Sequence, residues 1–381
     1  MVNTPHRLAL FYDYPEEDWP SMDLCAQMLH KHLKHEHNNE LETIKICPPF
    51  VSRLQQLPGL SQQKVAFNGD RLLNRFWDYP HHAKSIAHQF KFFHICDHSY
   101  AQMIHVLPPE RTGIYCHDID AFRSLLNPPQ EIRPAWYRAM SRRILAGIQK
   151  AAVVFYSTAE VRRQIEQFSL ILPERLVQAP LGISTEFSPN AHAPAAPLPN
   201  AQISQTPFLL HVGSCIPRKR IDVLLEVFAT LRQAYPNLSL VKVSGDWSVA
   251  QQTQIAQLDL HKSIHHFHGL ERSQIAALYR QASVVLQPSE AEGFGLPIIE
   301  ALACGSTVVA SDIPVLREVG GNAAIYCPVG DIKTWIETLS RLIDLPQQAP
   351  SLQTKLKQAS KYSWSTHASI IAQAYLKLRN S

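Results

Sequence analysis

Val284-Val-Leu-Gln287-Pro-Ser-Glu-Ala-Glu292-Gly-Phe-Gly295-Leu-Pro-Ile-Ile-Glu300 is the stretch whose reading decides the fold. The run to Gln287 is short and apolar, which predicts a buried strand. Two glycines in the loop that follows permit close backbone approach to a ligand, and Pro297 suits the first turn of a helix. Strand, glycine-bearing loop and helix in succession form the unit of a parallel α/β sheet, whose carboxyl-end loops bind ligands. Backbone amides at such a helix start can hold phosphate or polarised sugar hydroxyls. Glu292 in the loop and Glu300 one turn into the helix can serve two separate hydroxyl-bearing parts of one ligand. The plainer alternative is a solvated acidic loop and a carboxylate favoured by the helix dipole.

The same rhythm extends in both directions. Strands are predicted at 208–212, 238–243, 264–267, 307–310 and 324–327, alternating with helices at 220–234, 272–282 and 332–343. The first half repeats it, with strands at 8–12, 41–46, 90–96, 112–116, 151–156 and near 176–177, and helices over 22–33 and 135–150. Ser157-Thr158 resembles a helix cap. The fold class is therefore α/β, with mostly parallel sheets covered on both faces. Between the halves, residues 188–207 contain five prolines and no charge, which reads as a linker or exposed excursion. The expected domains are 1–187 and 208–363, with a last helix within 364–381.

Composition narrows the function. The 381 residues include 27 Pro but only 14 Gly. None of the glycines precedes Gly59, and nine lie from Gly213 onward. Backbone-approach loops thus belong to the second half, and the first strand lacks the glycine-rich loop of a dinucleotide-binding domain. A formal charge of +4 gives no nucleic-acid signature. Seven scattered cysteines without a CxxC pair suit a reduced, cytoplasmic protein. Neither a signal peptide nor an 18-residue apolar run is read. His30, His32, His35 and His37, with Lys31 and Lys34, form a basic, pH-sensitive helix end. It is either ordinary surface or a contact for anionic lipid or an acidic acceptor.

A second constellation is Gly213-Ser214-Cys215-Ile-Pro-Arg218-Lys219-Arg220. Three cations between a strand and a helix would neutralise a departing diphosphate; the alternative is a solvated basic turn. Cys215 has no base partner and reads as a passenger. In the first half His98 and His117 each follow a strand, and Asp118 either orients His117 or is merely its neighbour. No G-x-S-x-G or H-E-x-x-H motif is present. Asp118 and Asp120 are the one D-x-D string, and the expectation for metal is none.

Six strings in order then resemble one family. They are Pro180-Leu-Gly-Ile183, Gly213 with Arg218-Lys219, Phe267-His-Gly269, Glu292 to Glu300 running into Ala301-Leu-Ala-Cys-Gly305, Val309-Ala-Ser-Asp312-Ile-Pro, and Glu318-Val-Gly-Gly321. The chain resembles the retaining nucleotide-sugar glycosyltransferases of family 4 over essentially its whole length, most strongly from Phe208 to Asp331. Glu292 and Glu300 match the E-x7-E signature. The resemblance implies the GT-B fold: two Rossmann-like, doubly wound domains facing each other across a deep cleft. The first would take the acceptor and the second the donor, with the helix after Trp364 crossing back to the first. Glu292 would contact the transferred sugar, and Glu300 the ribose. Arg218 and Lys219 would neutralise the diphosphate. Gly293, Phe294 and Gly295, together with Gly213, Ser214 and Leu296, would hold sugar and phosphates. His117 would reach the donor sugar near the reacting centre.

The implied reaction moves a sugar from a UDP- or GDP-sugar to an acceptor hydroxyl, without a cofactor or metal, in polysaccharide, glycolipid or other glycan biosynthesis. The acceptor would be a glycan, a lipid-linked or a small molecule, with peripheral contact at the inner face of a membrane. Two alternatives stand beside it: a catalytically silent nucleotide-sugar or glycan-binding partner, and a GT-B phosphorylase. The chain departs from the family twice. Its first loop, Asp13 to Asp23, carries prolines and acids instead of glycines, with Ser21 and Met22 at the glycine positions. Ser214 stands where many members have arginine.

Overall fold

Alternation of short apolar runs with helices produces two separate parallel sheets. In the computed structural model, which describes residues 4–57, 59, 64–129, 131–190 and 206–378, the chain divides into two units. One is Met1–Gly182 with Trp364–Ser381, and the other is Ile183–Ser363. Of the proline-rich stretch read at 188–207, residues 191–205 lie outside those described.

The first unit holds β1 (His6–Phe11), β2 (Leu41–Ile46), β3 (Phe92–Ile95), β4 (Thr112–Cys116), β5 (Val153–Tyr156) and β6 (Leu176–Gln178). They pair in parallel in the order β2-β1-β3-β4-β5-β6. Side chains alternate between the faces of such a sheet. Ala9, Phe11, Phe93, Ile95, Val154 and Tyr156 enter one core together with Tyr79, Tyr100, Ile144 and Ile148. The helices Tyr79–Ile86 and Ala135–Ile148 therefore cover that face. On the opposite face lies the terminal helix Trp364–Leu378. Its Tyr375 ring packs on Phe92 and Phe155, and its hydroxyl donates to the Phe93 carbonyl at 2.8 Å. The helix Pro20–Glu36 packs beside it, with His37 Nε2 3.0 Å from Ser369 Oγ. This placement follows from right-handed crossovers, because the step from β1 to β2 runs opposite to every later step in the sheet.

The stretch between β2 and β3 yielded no elements from periodicity. The structure puts a helix at Lys64–Leu73 there, then a π turn at Asn74–Asp78, then the helix Tyr79–Ile86. Polar side chains organise it. Buried Asp70 accepts from the amides of Arg53, Leu54 and Gln55 at 2.8–3.0 Å, and Asn74 clamps both backbone groups of Val51. Helix-breaking side-chain bonds of this kind explain a π turn better than propensity does.

The second unit holds β7 (Phe208–Val212), β8 (Ser239–Val243), β9 (Ile264–Phe267), β10 (Val284–Gln287), β11 (Val308–Ser311) and β12 (Ile325–Cys327). The order is β12-β11-β10-β7-β8-β9, all parallel. Chain order reverses between β7 and β10, and in open sheets ligands bind at the carboxyl ends of the strands on either side of such a reversal. In the first unit the reversal falls between β1 and β3. Among the described residues no helix is long and apolar enough to cross a membrane.

Gly113 in β4 leaves the room that Tyr375 uses. A Cβ there would collide with the Tyr375 hydroxyl, Val153 and Phe155. Gly113→Ala is expected to destabilise the protein by about 1–3 kcal/mol, read as a lower urea midpoint. An unchanged midpoint would contradict this docking of the terminal helix.

Candidate functional site

At the second unit's reversal point, the loop after β7 and the loop after β10 are stitched together. The Glu290 amide donates to the Arg218 carbonyl at 2.9 Å. Lys219 Nζ donates to Glu292 Oε1 at 2.5 Å, and Gln287 Nε2 donates to the same oxygen at 2.5 Å. The Glu292 side chain is only 6% exposed. Burial alone would raise its pKa, but the Lys219 ammonium, the bonds from Lys219 and Ser289, and the Arg218 charge outweigh it and hold the carboxyl below its ordinary value. Glu292 is thus a fixed anion. Arg220 has a different job: it caps the helix Ile221–Ala234 in a left-handed conformation and pairs with Asp222 at 2.8 Å and Glu290 at 3.5 Å.

Gly295 begins the helix Leu296–Ala303 with φ 100°, a conformation suited to glycine. The Phe294 ring turns inward against Tyr362, which leaves backbone as what this residue offers a ligand. Glu300 lies buried further along the helix, 3.4 Å from the donating Tyr279 hydroxyl and 3.7 Å from Arg272 Nη2. Burial dominates there and pushes its pKa up to about 7, against the opposing pull of Arg272 and Tyr279. The two glutamates of one helix entry therefore carry different protonation: Glu292 is ionised and Glu300 is poised at neutrality.

Gly213 and Ser214 are backed by a side chain that the sequence reading passed over. Lys242, in β8, is fully buried. Its ammonium donates to the carbonyls of Gly213, Val243 and Ser244. Burial lowers its pKa to about 8. A lysine inside the apolar run 238–243 was the available signal. His211 was missed as well: its Nδ1 sits 2.9 Å from the Leu286 carbonyl, and its buried Nε2, facing Gly213, has no hydrogen-bond partner. Gly245 fits against this loop because any Cβ would stand 2.6 Å from Cys215 N. Cys215 itself is buried, its thiol pKa raised by that burial, which agrees with a passenger role.

In the first unit the loops after β1, β3 and β4 carry the polar groups. His117 is buried, and its Nε2 lies 3.1 Å from the Cys96 carbonyl, so that nitrogen carries the proton and Nδ1 is the lone-pair side. Burial lowers its pKa. Of the two readings of Asp118, orienting His117 or merely adjoining it, the structure shows a contact with another histidine: Asp118 Oδ1 is 3.9 Å from His98 Nε2, and Asp97 Oδ1 is 3.1 Å from His98 Nδ1. Burial would lower the His98 pKa, but Asp97, then Asp118 and Asp120, raise it above its usual value. The D-x-D string is internally occupied, with Asp118 accepting from the Asp120 amide and Asp120 paired to Arg123. Among the described residues no three His, Cys, Asp or Glu side chains converge to hold a metal ion.

The acidic first loop differs from expectation. Glu16 and Asp18 face solvent, while Asp13 and Glu17 turn inward. Glu17 sits 3.5 Å from Arg75 Nη1. Asp13 is driven well above the ordinary carboxylate range by burial and by neighbouring Asp97, which itself stays ionised. The loop's inner half thus carries little net charge. Ser21 and Met22 fall in the first turn of the helix Pro20–Glu36. The basic helix end is also partly committed: His32 pairs with Glu36 at 2.6 Å, and burial lowers the pKa of His30.

Residues 199–362, under half of the chain, match the family described as Glycosyl transferases group 1. Over 139 residues the chain is 32% identical to the O-antigen chain mannosyltransferase RfbU of Salmonella typhimurium, covering 36% of this chain and 39% of that protein. It spans less than two fifths of the length of the first curated relatives it matches. Sucrose-phosphate synthase from Thermosynechococcus elongatus superposes with a TM-score of 0.71 at 18% identity, over 98% of this chain and 99% of that one. The fold is GT-B. Anabaena HepE, solved in complex with UDP and glucose, gives 0.69 at 16% identity over 97% and 98% of the two chains. In this fold each unit presents the carboxyl ends of a Rossmann-like sheet, where Gly213, Glu292 and Glu300 stand in one unit and His117 in the other.

The neutral Asp13 makes a stability prediction. A carboxyl whose folded pKa is raised contributes fully below its unfolded value, about 4, and loses that contribution as pH rises toward the folded value. Asp13→Asn mimics the neutral form, so its urea midpoint should gain on the native protein as pH climbs from 4 to 7. Parallel midpoint curves would contradict a protonated Asp13.

Proposed function

We propose that the chain is a retaining glycosyltransferase of family 4 that transfers a hexose, mannose first, from a nucleoside-diphosphate sugar to an acceptor hydroxyl. The observation that carries this is the Lys219–Glu292 pair with Glu300 beyond it, at the reversal point of the second sheet. A fixed carboxylate suits sugar hydroxyls. Arg218 and Lys219 beside Gly213 and Ser214 suit a diphosphate, and the start of the helix Leu296–Ala303 adds its positive end. The backbone of Gly293, Phe294, Gly295 and Leu296 lies where sugar and phosphate would rest. Glu300, behind this loop, suits a ribose. Mannose is favoured by the O-antigen mannosyltransferase likeness, and UDP and GDP are the two bases to compare.

In the step itself the bond from C1 of the sugar to the diphosphate oxygen breaks, and a bond from C1 to the acceptor oxygen forms on the same face. The acceptor's proton passes to the departing phosphate oxygen, which is why stabilising that oxygen is the main task of the protein. His117, neutral with Nδ1 as its lone-pair side, is assigned to a donor-sugar hydroxyl. The acceptor is a growing glycan or its lipid-linked form, handled in the cytoplasm.

Incubation with GDP-mannose, UDP-mannose and their glucose counterparts, plus an acceptor panel, should release nucleoside diphosphate and retain the anomeric configuration. No release and no nucleoside-diphosphate binding would refute the proposal. Glu292→Ala should cost roughly 100-fold in turnover and less in nucleoside-diphosphate affinity. Loss of affinity with turnover intact would reverse the assigned role.

Glu300 adds a pH dependence. If its ionised form accepts ribose hydroxyls, nucleoside-diphosphate affinity should fall as pH drops from 8 to 6 through its pKa of about 7. In Glu300→Gln this fall should be lost, leaving only the titration of the diphosphate and the groups around it. An equal slope in both proteins would remove Glu300 from the ribose.

A further inference from the structure

Lys242 holds a charge that a purely structural role does not require. It is fully buried in β8, and no carboxylate pairs with it among the described residues. Its ammonium donates to the carbonyls of Gly213, Val243 and Ser244. A neutral amide could tie loop carbonyls together at far lower cost, because a buried unpaired charge is much more expensive than a buried dipole.

The carbonyls it gathers belong to two loops. Gly213 follows β7, and Ser244 follows β8. The loops also touch directly. The Cys215 thiol donates to the Gly245 carbonyl at 3.3 Å, and a Cβ on Gly245 would stand within 3 Å of Ser214 and Cys215 backbone. Ser244 has φ 68°, a left-handed conformation that a serine keeps only where its surroundings impose it. The ammonium on its carbonyl is one such constraint.

In a trans peptide the carbonyl and the following amide point in opposite directions. With the Gly213 and Ser244 carbonyls turned onto the ammonium, the amides of Ser214 and Gly245 point away from it. Neither amide donates a hydrogen bond among the described residues. A cation at the carbonyl end of a peptide polarises its N–H into a stronger donor for an anion. Both amides thus have a positive charge behind them, in a pair of loops that also carries Arg218 and Lys219.

The groups around Lys242 supply no counter-charge. His211 of β7 and His266 of β9 have pKa values lowered mainly by burial, and both are neutral at pH 8. The Cys215 thiol is raised by burial. Lys219 is committed to Glu292, and Asp246 is 97% exposed and turned to His268. The remaining neighbour is the Trp247 ring, 5.8 Å from the ammonium.

We propose that Lys242 is a positioning residue for the donor's diphosphate: it aims and polarises the Ser214 and Gly245 amides, and its unpaired cation is neutralised when the diphosphate arrives. The proposal rests on the donor reading of this site and adds to it a cation that acts through two peptides from beneath.

Calorimetric titration of the full chain with GDP and with UDP is the test. Burial lowers the Lys242 pKa to about 8, and an anion bound above it would raise that value. Binding at pH 8 should therefore take up protons, seen as a heat that varies with the buffer's ionisation enthalpy. Native affinity should fall as pH climbs from 8 to 9, because a group held protonated by the ligand loses that help as it deprotonates in the free protein. Lys242→Gln keeps donors for the carbonyls without the charge. It should retain native circular dichroism, bind roughly tenfold more weakly at pH 7.5, and lose both the proton uptake and the fall above pH 8. A native chain that takes up no proton on binding at pH 8 overturns the proposal, whether or not the variant folds. So does a Lys242→Gln protein with native affinity and the native pH slope, and in that case the donor reading survives. If the native chain binds neither nucleotide, the proposed function fails and this proposal fails with it.

Discussion

The ion pair of Lys219 and Glu292 is the interaction on which the second unit's site depends. It joins two loops that are far apart in sequence and adjacent only because the sheet reverses direction between β7 and β10. Pairs this buried are not automatically stabilising, since desolvation takes back much of the attraction. Removing one partner is another matter and costs about 3–5 kcal/mol, because the remaining charge is stranded. The pair therefore keeps each charge in place for the other, with Gln287 as a further donor to the same carboxylate oxygen. Lys219 is shared between a carboxylate and, on the proposed function, a diphosphate. Arrival of the diphosphate would add a second anion to a lysine already fixed in position, which is preorganisation in the physical sense.

The first unit repeats the logic with different chemistry. Its reversal point lies between β1 and β3, where Asp13 and Asp97 meet. Two carboxyls in close contact cannot both ionise, and the pair settles with Asp97 charged beside His98 and Asp13 neutral. The glycine-free first loop is thus a folded acid cluster more than an acidic surface. Glu17 and Arg75 close it from the other side.

Most of the sheet order was legible because parallel strands buried on both faces write themselves as short apolar runs. Strands such as Leu41–Ile46 and Val284–Gln287 lie where periodicity put them. The region between β2 and β3 was not legible, since its order comes from Asp70 and Asn74 bonding to backbone far away in sequence. Candidate ligand loops could be found from glycine, cation and glutamate spacing. Protonation could not: Glu292 and Glu300 are alike in sequence, and only burial and the neighbours Lys219, Arg272 and Tyr279 set them apart. Nor could sequence show that Asp118 would come within 3.9 Å of His98. Lys242 was visible as a lysine in an apolar run, yet only its three carbonyl partners reveal what it does there.

The most direct measurement is a structure of the protein with a bound nucleoside-diphosphate sugar. The account predicts the diphosphate against Gly213, Arg218 and Lys219, the sugar hydroxyls on Glu292, and the ribose on Glu300. A nucleotide bound away from the β7 and β10 loops, or with its ribose far from Glu300, would contradict it.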